Sequence, residues 1–461
     1  SWVISGANGG SVTGVSGGFS NIANLIGGSS TDSFTLSGGT VSGSINGGAG
    51  SNTLIADNVA NTWSITGADA GSVTGVTGGF TNIGNLTGGS NNDTFSVGAS
   101  GSVSGLIDGG GQVASDTLDY SAVTAAVTTK IGTNFTNIES VTGDGVNDTL
   151  VGADVANTWS ITGANAGTVG GVSFSGFKNL TGGTNNDSFT LSGGTLSGAI
   201  NGGTGTNALT ADNVANTWTI TGADSGTVTG VTGGFSNIAN LNGGTNTDSF
   251  TLSGGTVSGA INDGLTGANT LTADNVANTW VITGANAGSV TGVSGGFTNI
   301  ANLNGGTGTD AFTLSGGTLS GAINGGLTGV NTLTADNVAN TWVITGANAG
   351  SVTGVSGGFT NIANLNGGTG TDSFTLSGGT LTGAINGGLT GVNTLTADNV
   401  ANSWNITGSD SGSVTGITGG FTNIGTLSGG TNADTFTFHS GGVLSGPVDG
   451  GAGSDTLDFS S

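Results

Sequence analysis

The chain has 461 residues, 99 of them Gly and one Pro, and a formal net charge of −24, from 26 acidic residues against two lysines. That balance excludes nucleic-acid binding, which needs a basic surface to neutralise phosphates, and it removes anionic membranes as partners. No Cys is present, so no disulfide or thiolate metal site can be built, and no apolar run approaches the ~20 residues of a spanning helix.

From Ile4 onward an aliphatic residue, one intervening residue and then glycine return mostly every 20 or 21 positions. The beat runs through Leu25, Ile45, Ile65 and Leu86 to Leu427 and Val448, with one long step from Ile107 to Val141. Ile261-Asn262-Asp263 is the copy without glycine at the third place. So short a period over a whole chain predicts a solenoid rather than the disorder that such a glycine content otherwise suggests. No Pro-rich or charged linker interrupts it, so residues 1–461 read as one continuous all-β, parallel β-solenoid.

A larger unit is marked by Trp2, Trp63, Trp159, Trp218, Trp280, Trp342 and Trp404, the last four spaced 62 residues apart, or three beats. In Thr341-Trp342-Val343-Ile344-Thr345 the period of two puts Trp342 and Ile344 on one face. The site between them varies as Ser64, Ser160, Thr219, Val281 and Asn405, so it faces water and the indoles face the core. Phe312, Leu333, Val352 and Phe374 then fall in equivalent places of successive rungs and are expected to stack. Roughly 22 rungs at about 4.8 Å each predict a rod of about 100 Å. Glycines serve the positive-φ corners, and turn Asn and Asp residues can bond in ladders between rungs.

The stretch 109–150 breaks the beat. It holds Ala114-Ser-Asp-Thr-Leu-Asp-Tyr120, with the sole Tyr, and also Lys130 and Glu139. It predicts either a loop leaving the rod or one irregular inserted rung. Its wording returns at Gly450 to Phe459, and Ser1 starts in mid-repeat without a signal peptide. The natural chain is therefore expected to be longer, or processed at its ends.

The runs Gly305-Gly-Thr-Gly-Thr-Asp310-Ala-Phe312, Gly367 to Phe374, Gly450 to Leu457 and Gly143-Asp144-Gly-Val-Asn-Asp148-Thr-Leu carry a recurring Asp. They resemble the RTX nonapeptide of secreted bacterial proteins, whose consecutive turns hold Ca²⁺. The resemblance makes Asp144, Asp148, Asp310, Asp372, Asp455 and Asp458 calcium candidates. The Asp version recurs only once in three rungs, however, with Asn331 and Gly350 at the aligned places. A stacked calcium column cannot form from so few carboxylates, and an Asp that caps its own turn is the plainer alternative. Ca²⁺ is possible but no cofactor is required.

Ser and Thr flank the core site in pairs such as Ser33/Thr35, Ser188/Thr190, Thr270/Thr272, Thr332/Thr334 and Ser351/Thr353. Such files resemble the flat faces of ice-binding solenoids, against the simpler explanation of β propensity. Catalysis has little to work with. His439 is the sole His and reads as a solvated loop residue, and Asp116/Asp119 and Asp455/Asp458 read as turn formers, so no enzyme is expected.

The phrases Ala-Asn-Thr-Trp-x-Ile-Thr-Gly, Phe-Thr-Asn-Ile-Ala-Asn-Leu and Gly-Gly-x-x-x-Asp-x-Phe cover nearly the whole chain. They look like the glycine-rich repeat tracts of large secreted bacterial surface proteins: filamentous-haemagglutinin-like and RTX-like adhesins and S-layer proteins. That resemblance implies an extracellular, cell-surface stalk or filament segment, with copies of itself or the rest of a longer chain as partner. A calcium-dependent S-layer or ligand-binding module is the alternative.

Overall fold

A computed structural model of the protein describes residues 1–111, 115–264 and 266–460, so Ala114, which opens the irregular phrase, lies outside the described residues. The regular elements among these residues are short β-strands, and no helix is long and apolar enough to cross a membrane. The strands wind as a parallel β-solenoid. They fall into two compact units, Ser1–Asp212 with Thr229–Ile238, and Asn213–Val228 with Ala239–Ser461.

In the second unit one tryptophan repeat shows the construction. Thr341–Gly346 buries Trp342 and Ile344 and leaves Thr341 and Thr345 exposed, as the alternation predicts. Asn348, held at φ 53°, reverses the chain into Ala349–Val352. Gly354, at φ 89°, reverses it again into Val355–Thr360. An L-residue pays steric strain at such φ values, which is why Asn and Gly occupy these corners. The three strands form an antiparallel meander, with Trp342 opposite Val352 and Val352 opposite Val355.

Beyond the meander the chain crosses to the opposite sheet at Asn364–Asn366 and then coils. Phe374 lies parallel on Trp342 and Leu395 on Phe374, while Ile385 lies on Leu365 in the other sheet. From Trp342 the faces alternate through Leu365, Phe374, Ile385 and Leu395 to Trp404, which is five crossings, or two and a half turns. The sequence reading counts three rungs in this interval. The difference of half a turn is the meander, which takes up half a beat without going round the solenoid. Val352 accordingly pairs with Trp342 inside the meander, whereas Phe312 and Leu333 stack as expected. An odd number of crossings also puts successive tryptophans, Trp342 and Trp404, in opposite sheets.

Trp342 is 0% exposed. Its ring stacks on Phe374 at 5.5 Å and meets Phe359 of the meander edge-on at 5.9 Å. Both geometries suit the ring quadrupole. At the turns, Asn324 Oδ1 accepts from Gly326 N at 3.0 Å and from Asn361 Nδ2 at 2.7 Å. Asn386 does the same with Gly388 and Asn423. These are the inter-coil amide ladders expected of the turns.

The first unit repeats this plan. Trp63, Phe95, Leu118, Val141 and Phe174 follow one another in parallel register. The irregular stretch therefore continues the winding through Leu118 and Val141, both 0% exposed, as an inserted coil. It carries no full meander. Phe135 still lies on Ile107, but the sheet stops there, and a separate one starts at Thr128–Lys130.

Candidate functional site

The feature with most chemistry is a buried file of Asn and Asp side chains along the turns. Asp310 begins where the Gly305 to Thr309 turn enters the strand Ala311–Leu314. Its Oδ1 accepts from Asn278 N at 2.8 Å and from Asn278 Nδ2 at 2.9 Å. Its own N–H donates to Asn331 Oδ1 at 2.8 Å, and Asn331 Nδ2 donates to Asn361 O at 3.0 Å. The carboxylate thus caps the turn of a neighbouring coil, 32 residues away in sequence, not its own turn.

The Asn278 amide nitrogen sits among four oxygens: Asp274 O and Val276 O at 2.8 Å, Gly305 O at 3.1 Å, and Asp310 Oδ1. Asn340 and Asn402 repeat the cage with Asp372 and Asp434. An amide donor occupies the kind of oxygen-lined position that a cation takes. Gly305 is required because a Cβ there would land on the Asp310 carboxylate. Asp310 Oδ2 and Asp372 Oδ2 are buried without a hydrogen bond. Burial raises the pKa of both groups above the ordinary carboxylate value, and the Asn278 and Asn340 bonds oppose the rise. Since only Oδ1 is used, Asp310→Asn should cost less than about 1 kcal/mol. Asp310→Ala should cost about 2 kcal/mol by stranding the Asn278 backbone N–H, as read by urea denaturation.

In the first unit the file is more acidic. Asn61 donates to Asp93 Oδ1, Asp93 N to Asp116 Oδ1 at 2.7 Å, and Asp116 N to Glu139 Oε2 at 2.8 Å. Burial and the Asp116 charge raise the pKa of Asp93. Asp148 is also buried, accepting from Val127 N and from Asp144 N, both at 2.7 Å. Asp144 caps its own turn through Val146 N at 2.7 Å. Asp455 accepts from Asp434 N at 3.0 Å, and Asp458 from Ser460 N at 2.8 Å. Asp144 and Asp148 thus share a turn, while Asp310, Asp372 and the Asp455/Asp458 pair lie on others. Among the described residues no three His, Cys, Asp or Glu side chains are grouped to hold a metal ion. His439 Nε2 lies 3.2 Å from Asn405 Oδ1.

Sequence reasoning passed over the consequence of the missing glycine at Asp263. Its carboxyl is 0% exposed and converges with that of Asp248 above Gly243. Neither Asp263 oxygen accepts a hydrogen bond. Burial first, and the adjacent Asp248 second, push its pKa up to about 9. The signal was present in the sequence as a single break in a 20-residue rule.

The strand pairing defines a β-helical repeat protein. Comparison finds no matching family model and no matching curated protein. Among solved structures the chain is similar to a hyperactive, Ca²⁺-dependent, β-helical antifreeze protein from an Antarctic bacterium. The identity is 18%, the coverage 83% of this chain and 86% of that one, and the TM-score 0.10.

Proposed function

We propose that this chain is a non-enzymatic structural scaffold, a stiff extracellular spacer or filament segment of a bacterial surface protein that needs no cofactor. The observation that carries this reading is the commitment of its large side chains to packing. Trp63, Trp159, Trp218, Trp280, Trp342 and Trp404 are each 0% exposed. The buried Asp310, Asp372 and Asp434 carboxylates are tied to neighbouring coils. Coil-on-coil pairing of this type gains stiffness by repetition, since each coil is fixed by its neighbours.

Electron microscopy and small-angle scattering with and without excess EDTA test the reading. Elongated particles whose melting and assembly ignore EDTA support it. Collapse in EDTA transfers the role to a calcium-dependent S-layer or ligand-binding module, and compact particles reject both.

One observation favours ice binding as a second reading. Thr219, Thr251, Thr272, Asn304, Asn324 and Thr360 form one outward file in continuous register. Thermal hysteresis would establish this reading, and its absence at high protein concentration would remove it.

A further inference from the structure

The inserted coil of the first unit contains a cavity. In a regular coil the loop aliphatic residue is covered by the third strand of a meander, as Val41 is by Val76 and Leu196 by Val231. Val103 occupies the corresponding place after the strand Thr94–Val97. Here the meander is cut short, and the space is bordered by the irregular turns around Tyr120, Val123 and Val127. What remains is a cavity of about 200 Å³. For scale, an apolar cavity of roughly 150 Å³ in another protein accepts benzene.

The wall is chemically simple. Val97, Ile107 and Val123 are buried and supply an aliphatic surface. No charged side chain lines the cavity. Thr129 is buried in its wall; its Oγ1 makes no well-formed hydrogen bond, and the Tyr120 phenol is the polar group beside it. A buried hydroxyl without a well-formed bond carries a desolvation penalty of about 1–3 kcal/mol, and a ligand hydroxyl would relieve it. The Tyr120 phenol stands in the same wall, and burial raises its pKa, so it stays neutral.

We propose that this cavity is a binding site for a small uncharged aromatic alcohol, of the size of benzyl alcohol. The ring lies against Val97, Ile107 and Val123, and the hydroxyl bonds Thr129 Oγ1. Charged analogues are rejected because nothing in the wall neutralises a carboxylate or an ammonium. The site goes beyond the scaffold role and does not depend on it.

Tyr120 is the sole tyrosine in the chain, which makes the test specific. Growth on 3-fluorotyrosine places one fluorine at the cavity wall, and its NMR resonance is followed during titration of the whole chain. Benzyl alcohol should shift that resonance saturably with a Kd below about 1 mM. Benzoate should bind at least tenfold more weakly. Thr129→Val should weaken benzyl alcohol at least threefold while leaving toluene unchanged, and Val123→Phe should abolish the saturable shift by filling the space. A non-saturating drift with benzyl alcohol overturns the proposal. So does benzoate binding as tightly, or unchanged affinity in Thr129→Val. Thr129→Val nearly preserves side-chain volume, so it keeps the test valid even if Val123→Phe does not fold.

Discussion

Replacing Asp263 by glycine should stabilise the second unit at pH 8 by about 3 kcal/mol or more, and this gain should vanish near pH 4. The corresponding place is Gly325 or Gly387 in other coils, so the substitution restores the rule of the repeat. The buried Asp263 carboxyl holds its proton up to about pH 9, whereas an ordinary Asp carboxyl releases it at about pH 4. As pH rises above about 4 the unfolded chain releases this proton and the folded chain does not. Stability is therefore fully present below the unfolded pKa and falls as pH rises toward about 9. Each unit of pKa difference is worth about 1.4 kcal/mol, so roughly 6 kcal/mol at pH 8 is the ceiling, and relaxation or water entry reduces it. Urea denaturation at pH 4, 6 and 8 reads the difference directly. Parallel stability profiles for the two proteins across that range would show that Asp263 does not titrate as a buried acid.

The second large effect belongs to Trp342. Trp342→Ala removes at once the stack on Phe374 and the edge contact with Phe359. It leaves a cavity between the meander and the next coil, at a cost of about 3–5 kcal/mol. Because each coil in a solenoid is supported chiefly by its neighbours, the loss should appear locally. Amides of Thr341–Gly346 and Ser373–Leu376 should lose hydrogen-exchange protection first. Trp342→Phe, which keeps one ring in the stack, should lose much less. Uniform loss of protection along the chain in Trp342→Ala would contradict nearest-neighbour support.

Much of this architecture was legible in the residues. The 20-residue beat defines the coil, since Leu365 and Ile385 do lie on one another. Alternation around Trp342 shows which face is buried, and the turn asparagines announce their ladders. The Asp in Gly-Gly-x-Gly-x-Asp was recognisable as a turn residue, but its partner was not. Asn278 lies 32 residues away, and only the stacking of coils brings that donor to it.

By itself the sequence determined the strand length, the inward face and the spacing of the coils, because these follow from a local period and from which residues shun water. Only the tertiary structure decided that half of one beat in three folds back as a meander. The reversal depends on Asn348 and Gly354 adopting positive φ, a choice made by the neighbouring strands that pair with the result. The same holds for the convergence of Asp263 on Asp248 and for the cavity beside Thr129. Each arises where two coils meet, and contact between coils is a property of the winding, not of any one stretch of chain.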